Sequence, residues 1–258
     1  MLKILLTGCA GRMGRAVSEA AKESGRVKIE AGVDIAEGAQ NCPHPVYRSV
    51  GEYTGPADVI VDFSHHTLTL GLLEYAVKHG IPAVIATTGH TPEETLAIKR
   101  AAEFIPVFYS RNMSLGINLL IELAKSAAAM LGADWDIEIT EKHHKKKLDA
   151  PSGTALMIAG ALEDVLEAPP KYVYDRHLEH RERQKGEIGI HAIRGGSIVG
   201  EHEVLFAGKD ELITLSHSAA SREVFAYGAL RAAEFICGRA PGSYNMSDLV
   251  TARFSAEP

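Results

Sequence analysis

The chain has 258 residues, a formal net charge of −6 and a hydrophobic share of 46%, enough to bury a core in one or two domains. An acidic balance leaves no basic face of the kind nucleic-acid binding needs, so no nucleic-acid partner is expected. Cys9, Cys42 and Cys237 are far apart and form no CxxC pair, which predicts a reducing compartment without disulfides or a zinc site.

Residues 1–7, MLKILLT, are too short for a signal h-region and read as a strand. The longest apolar stretches stay below about 18 uninterrupted residues, too short to span a bilayer. No membrane partner and a cytoplasmic location are expected.

In chain order, Leu2–Thr7 is a short apolar run followed by glycines, and Met13, Ala16, Val17, Ala20 and Ala21 then recur at helical spacing. Val27–Asp34, Ala57–Phe63, Ala83–Thr87 and Pro106–Tyr109 read as further strands. Thr67–Lys78 and Pro92–Phe104 carry helical periodicity, the second opening with TPEE, a cap followed by proline and acids. Alternating strands and helices predict a parallel sheet covered on both faces.

Beyond Asn112 the style changes. Leu115–Leu131 is one long helix pattern, Trp135–Glu141 alternates as a half-buried strand, and Ser152–Glu167 is a helix stopped by Pro169 and Pro170. Residues 175–187 are nearly all polar and predict an exposed loop. Ile188–Arg194, Ile198–Ala207 and Glu211–His217 read as an antiparallel meander, and Arg222–Cys237 as a last helix.

The fold class is therefore α/β. An N-terminal Rossmann-type dinucleotide-binding domain (1–113 plus 222–258) is joined to an α+β domain (114–221) on a mixed, largely antiparallel open sheet.

Two segments carry chemistry. GCAGRMG, with Gly8, Gly11 and Gly14, follows the first strand and opens a helix, as a dinucleotide fingerprint does. Asp34 ends the second strand 20 residues beyond Gly14, where an acid binds ribose hydroxyls. Its charge repels a 2′-phosphate, and Ile35 rather than arginine follows, which favours NADH. Arg12 and Arg15 beside the loop leave NADPH possible.

The second segment, EKHHKKKLDAPSGT (141–154), runs from a strand into a helix start. Pro151, Ser152, Gly153 and Thr154 form a helix N-terminus suited to a carboxylate. Lys147 supplies charge, and His143 or His144 can move a proton near neutral pH. Adjacent histidines on a strand point in opposite directions, and no HExxH spacing occurs, so no metal is expected.

The string Glu141 to Ala155 resembles the signature of the bacterial dihydrodipicolinate reductase family, enzymes of lysine and diaminopimelate biosynthesis. GxxGRMG, VDFS at Val61–Ser64, TTG at Thr87–Gly89, SRNMSLGIN at Ser110–Asn118, IRGGSIVGEH at Ile193–His202 and SHSAASR at Ser216–Arg222 extend the resemblance over nearly the whole chain.

The resemblance implies a hydride passed from a nicotinamide to a cyclic imine dicarboxylate. His143 is then the proton donor and Lys147 its helper. His144, Lys147, Ser152, Gly153 and Thr154, with Arg222 as a further candidate, hold the substrate. Gly8, Gly11, Arg12, Met13, Gly14, Asp34, Phe63, Ala86, Thr87, Thr88, Gly89, Ser110, Asn112 and Met113 hold the cofactor, and a homotetramer is implied.

Ala86, Met113 and the pair His65–His66 depart from the family pattern, and His65, His66 and His90 receive no catalytic role. An alternative is a NAD-binding regulator of the same fold without turnover. A semialdehyde dehydrogenase would need a nucleophilic cysteine in the second domain, where none falls.

Overall fold

The computed structural model describes residues 1–177 and 180–254 and divides into two compact units, Met1–Leu115 with Arg222–Pro258, and Gly116–Ser221.

The first unit is built on a seven-stranded, all-parallel sheet. Its strands are β1 (Leu2–Thr7), β2 (Val27–Val33), β3 (Val46–Tyr47), β4 (Val59–Asp62), β5 (Ala83–Ile85), β6 (Pro106–Tyr109) and β12 (Gly242–Tyr244), in the order β12-β6-β5-β4-β1-β2-β3. Strand order reverses on either side of β1, and open α/β sheets bind ligands beyond the carboxyl ends of the strands at such a point.

β4 (VIVD) and β5 (AVI) are buried throughout, the continuous apolar pattern of strands covered on both faces. Helices α1 (Arg12–Ser24) and α6 (Glu223–Ile236) join one apolar cluster with β1 and β4, while α2 (Thr69–His79) and α3 (Pro92–Ala101) join the other. A Cβ on Gly228 of α6 would lie 1.7 Å from the Met113 carbonyl oxygen, so this helix approaches the chain too closely for any side chain there. A short helix, α7 (Met246–Phe254), ends the described chain.

The second unit carries a five-stranded sheet: β7 (Asp136–His143), β8 (Lys171–Val173), β9 (Glu187–Arg194), β10 (Gly200–Gly208) and β11 (Glu211–Ala219), in the order β11-β10-β7-β9-β8. The sheet is mixed. β10 is antiparallel to β7 and β11, whereas β9 is parallel to both β7 and β8. The meander expectation is therefore corrected: only β10 and β11 form a hairpin, and the Gly195–Gly196 connection steps over β7. Helix α5 (Gly153–Glu163), within the connection from β7 to β8, is the crossover that parallel strands require.

Helix α4 (Leu115–Leu131) buries Ile117, Leu120, Ile121, Ala124 and Ala128 against the apolar face of this sheet. The segment Leu115–Asp134 is long and apolar enough to cross a membrane by length and composition alone, but Glu122 and Lys125 interrupt its apolar run, in keeping with the length expectation above. One stripe of it is core, while Leu119, Leu123 and Met130 are exposed.

The described residues of the 175–187 segment, 178–179 lying outside them, form the mostly exposed loop expected, except that Glu187 is buried at the start of β9. Arg176 and Arg181 pair at 2.9 and 2.6 Å with Glu187, whose side chain is 1% exposed. Arg176 and Arg183 also reach Glu138. Hydrogen bonds from Arg176 and Arg181 pull the Glu187 carboxyl down to about 2, against the effect of burial. These arginines are partners of acids placed inside a strand.

Candidate functional site

In the first unit, β1 delivers the chain into the glycine loop. Gly8 has φ +71, and a Cβ on it would meet the Phe63 carbonyl oxygen at 2.4 Å. A Cβ on Gly14 would lie 2.2 Å from the Gly8 oxygen, so only glycine lets α1 start this close to the loop. Gly11 caps α1 without a side-chain hydrogen bond, leaving a helix N-terminus of the type that meets phosphate.

Asp34 stands at the end of β2 and ties the loop down: Oδ2 accepts from the Ala10 N–H and Oδ1 from the Ala36 N–H, both at 2.9 Å. This carboxylate keeps lone pairs for ribose hydroxyls. Arg12 is exposed beside the loop, and Met13 packs half-buried on the core. The glycine cradle, bare helix start and acid at the second strand fit a dinucleotide.

The neighbouring loops are organised by a residue that sequence reasoning left without a role. Asp62, fully buried at the end of β4, accepts from Thr7 Oγ1 at 2.5 Å, Ser64 Oγ at 2.5 Å and Thr87 Oγ1 at 2.8 Å. It joins the carboxyl ends of β1, β4 and β5. Ala86 and Thr87 are buried, while Thr88 and Gly89 (φ +87) are exposed.

Asn112 accepts from the Ser114 N–H, and Ser110 Oγ accepts from the Asn112 N–H, forming a tight turn. Met113 is 3% exposed inside the core, which leaves its backbone rather than its side chain for a ligand. His66 Nδ1 sits 2.9 Å from Glu94, and His90 Nε2 sits 2.9 Å from Thr69 Oγ1. These histidines brace the loops.

In the second unit, β7 ends in the basic segment. Residues two apart on a strand share a face, so Glu141 and His143 lie together. Pairing register brings His202 of β10 opposite Glu141 and Arg194 of β9 beside His143. Glu141 is fully buried and receives four donors: Arg194 Nη2 at 2.6 Å, Arg194 Nη1 at 2.8 Å, His143 Nδ1 at 2.6 Å and the Ser152 N–H at 2.9 Å. Burial pushes its carboxyl up, but those donors outweigh it and the net shift is down.

Ser152 caps α5, its Oγ accepting from the Ala155 N–H and lying 3.1 Å from His202 Nε2. It is 2% exposed, so it shapes the helix start from beneath. Gly153 is exposed and Thr154 half-buried on the first turn. Lys147 Nζ pairs with Asp149 at 2.9 Å. His144 Nδ1 is buried without a partner. Lys142 pairs with Glu201, and Lys145 and Lys146 are exposed. Arg222 belongs to the first unit, exposed at the start of α6.

Glu141, Arg194 and His202 were all inside the quoted motifs. Strand alternation marked Glu141, but the other two needed the register. Among the described residues no group of three or more His, Cys, Asp or Glu is placed to hold a metal ion.

A glycine-loop nucleotide unit and a second unit with a carboxylate-paired histidine and a lysine near a helix start fit a dinucleotide-dependent oxidoreductase. Residues 2–113 match the family description "Dihydrodipicolinate reductase, N-terminus" and residues 116–250 match "Dihydrodipicolinate reductase, C-terminus". The chain belongs to the dihydrodipicolinate reductase family.

A 4-hydroxy-tetrahydrodipicolinate reductase from Caldanaerobacter subterraneus subsp. tengcongensis is 52% identical, over 97% of this chain and 98% of that protein. Another from Clostridium novyi is 43% identical, over 98% and 100%. The fold is similar to that of a dipicolinate-bound dihydrodipicolinate reductase from Paenisporosarcina sp. TG-14, with TM-score 0.79, 24% identity and coverage of 95% and 97%.

Proposed function

We propose that this chain catalyses the reaction its family is named for. It reduces 4-hydroxy-tetrahydrodipicolinate, or the dehydrated ring, to tetrahydrodipicolinate for lysine and diaminopimelate biosynthesis, with His143 delivering the proton. The observation that carries this reading is the 2.6 Å contact from His143 Nδ1 to a fully buried carboxylate. It commits Nδ1 as a donor and leaves Nε2 as the nitrogen that exchanges a proton.

The bound reduced nicotinamide supplies the hydride. Gly8, Gly11, Gly14 and the start of α1 hold its pyrophosphate, Asp34 its ribose, and the Phe63, Ala86–Gly89 and Ser110–Met113 loops its nicotinamide half. Lys147 exchanges Asp149 for a substrate carboxylate and lowers the cost of charge near the reacting atom. His144, Gly153, Thr154 and the dipole of α5 hold the dicarboxylate. Arg222 is a further anion-holding candidate.

Asp34 makes NADH the better cofactor. The assembly is a homotetramer in the cytoplasm.

The test is oxidation of reduced nicotinamide with the substrate generated enzymatically in situ. Oxidation dependent on that substrate supports the proposal. Cofactor binding without turnover would favour the regulator.

A further inference from the structure

The two nitrogens of His143 have unequal surroundings. Nδ1 meets Glu141, whereas a Cβ built on Gly200 would lie 3.1 Å from Nε2, so the absence of a side chain there keeps that edge clear. Arg194 grips Glu141 with both terminal nitrogens, Nη2 on Oε1 and Nη1 on Oε2, the oxygen that also faces His143, and Arg194 is anchored in turn by the Asp149 carbonyl. A carboxylate facing an imidazole stabilises the imidazolium, and a guanidinium behind that carboxylate weakens the effect.

We infer that Glu141 and Arg194 are positioning residues with opposed effects on proton delivery. Glu141 fixes the Nδ1–H tautomer and favours the charged ring, and Arg194 neutralises Glu141 enough for the proton to leave. This rests on the reading of His143 as the proton donor. Neither residue need touch substrate, so neither is catalytic in its own right.

The other charged or titratable groups near the ring are few. His202 of β10 crosses it edge-on at 5.2 Å between centroids, and burial with the charge of His143 holds His202 down to about 4, so it stays neutral. On the 144–152 segment stand His144, with Nδ1 buried without a partner, the exposed Lys145 and Lys146, and Lys147 and Asp149, paired with each other. Lys142 is turned to Glu201. Glu141 and Arg194 are therefore the charges that set the field at Nδ1.

A purely structural role would also make both residues matter, because Glu141 ties β7 to Ser152 and, through Arg194, to β9. The pH profile of kcat/KM separates the two. A proton donor works while protonated, so activity falls on the basic side. Glu141→Gln removes the anion and should move that fall to lower pH by about one unit or more. Arg194→Gln leaves the anion uncompensated and should move it to higher pH, while Arg194→Lys restores most of the wild-type position.

Active variants with unmoved limbs, or limbs moving in the same direction, would overturn the inference. Where a variant does not fold, wild-type protein carrying 15N-histidine decides, with the His143 resonance assigned through His143→Gln. A neutral ring protonated at Nδ1 supports the inference, and one protonated at Nε2 overturns it. Wild-type protein that never oxidises reduced nicotinamide would instead defeat the functional reading, leaving the tautomer spectrum to judge this one.

Discussion

His202 Nε2 lies 3.1 Å from Ser152 Oγ, the N-cap of α5. The ring is 5% exposed, and burial, followed by the charge of His143, lowers it from 6.5 to about 4. The folded value is below the unfolded one, so the unfolded chain takes the proton first. His202 therefore costs nothing above pH 6.5, and stability is lost as pH falls through the window from 6.5 to about 4. The loss is about 3 kcal/mol in all. Denaturant melts at both ends of that window should show it, and His202→Gln should flatten the difference.

Among the described residues the Lys147 ammonium pairs only with Asp149, whose side chain is 58% exposed. Such a pair is worth about 1 kcal/mol or less. Lys147→Met should therefore leave the melting temperature nearly unchanged while kcat falls on the order of 100-fold. Cofactor affinity measured by fluorescence quenching should stay within about twofold, since Lys147 belongs to the other unit.

Glu94 accepts from the Thr91 N–H at 2.8 Å, closing the capping box of α3, and also holds His66. The backbone of Thr91 and the His66 side chain keep its carboxyl below the usual range. Glu94→Ala should destabilise the fold by about 1 kcal/mol and raise KM for the cofactor more than it lowers kcat. The exposed neighbour Glu93→Ala should do neither.

On the proposed reading, the charge of Asp34 favours NADH over NADPH. Asp34→Asn keeps an oxygen for the Ala10 N–H and removes the repulsion of a 2′-phosphate. The ratio of kcat/KM for NADPH over NADH should rise about tenfold, equivalent to roughly 1.4 kcal/mol.

Much of this architecture was legible in the sequence because its central strands are buried on both faces. Leu2–Thr7 and Val59–Asp62 read as apolar runs with no helical period, and the glycines mark the turn between β1 and α1. Strands β3, β8 and β12 span two or three residues, too few for any alternation to register.

The meander was misread for a different reason. Turn residues report where a chain reverses, not which strand it lands beside, and β9 and β10 flank β7. The same limit hid half of the site. The 141–154 segment announced its histidines, lysine and helix start. Arg194 and His202 lie 53 and 61 positions beyond Glu141 and become partners only through strand register. The arginines of 176–183 read as plain solvated loop residues because their partners, Glu138 on the polar face of β7 and Glu187 at the start of β9, are identified only by the fold.

The central claim is that His143 delivers the proton during substrate-dependent oxidation of a reduced nicotinamide. The most direct measurement is kcat for wild type and His143→Gln across pH, with substrate generated in situ and cofactor binding measured in parallel. The account predicts a fall of at least about 100-fold in kcat, loss of the basic limb that wild type shows, and unchanged cofactor affinity. A variant that retains wild-type kcat and the same basic limb would contradict it.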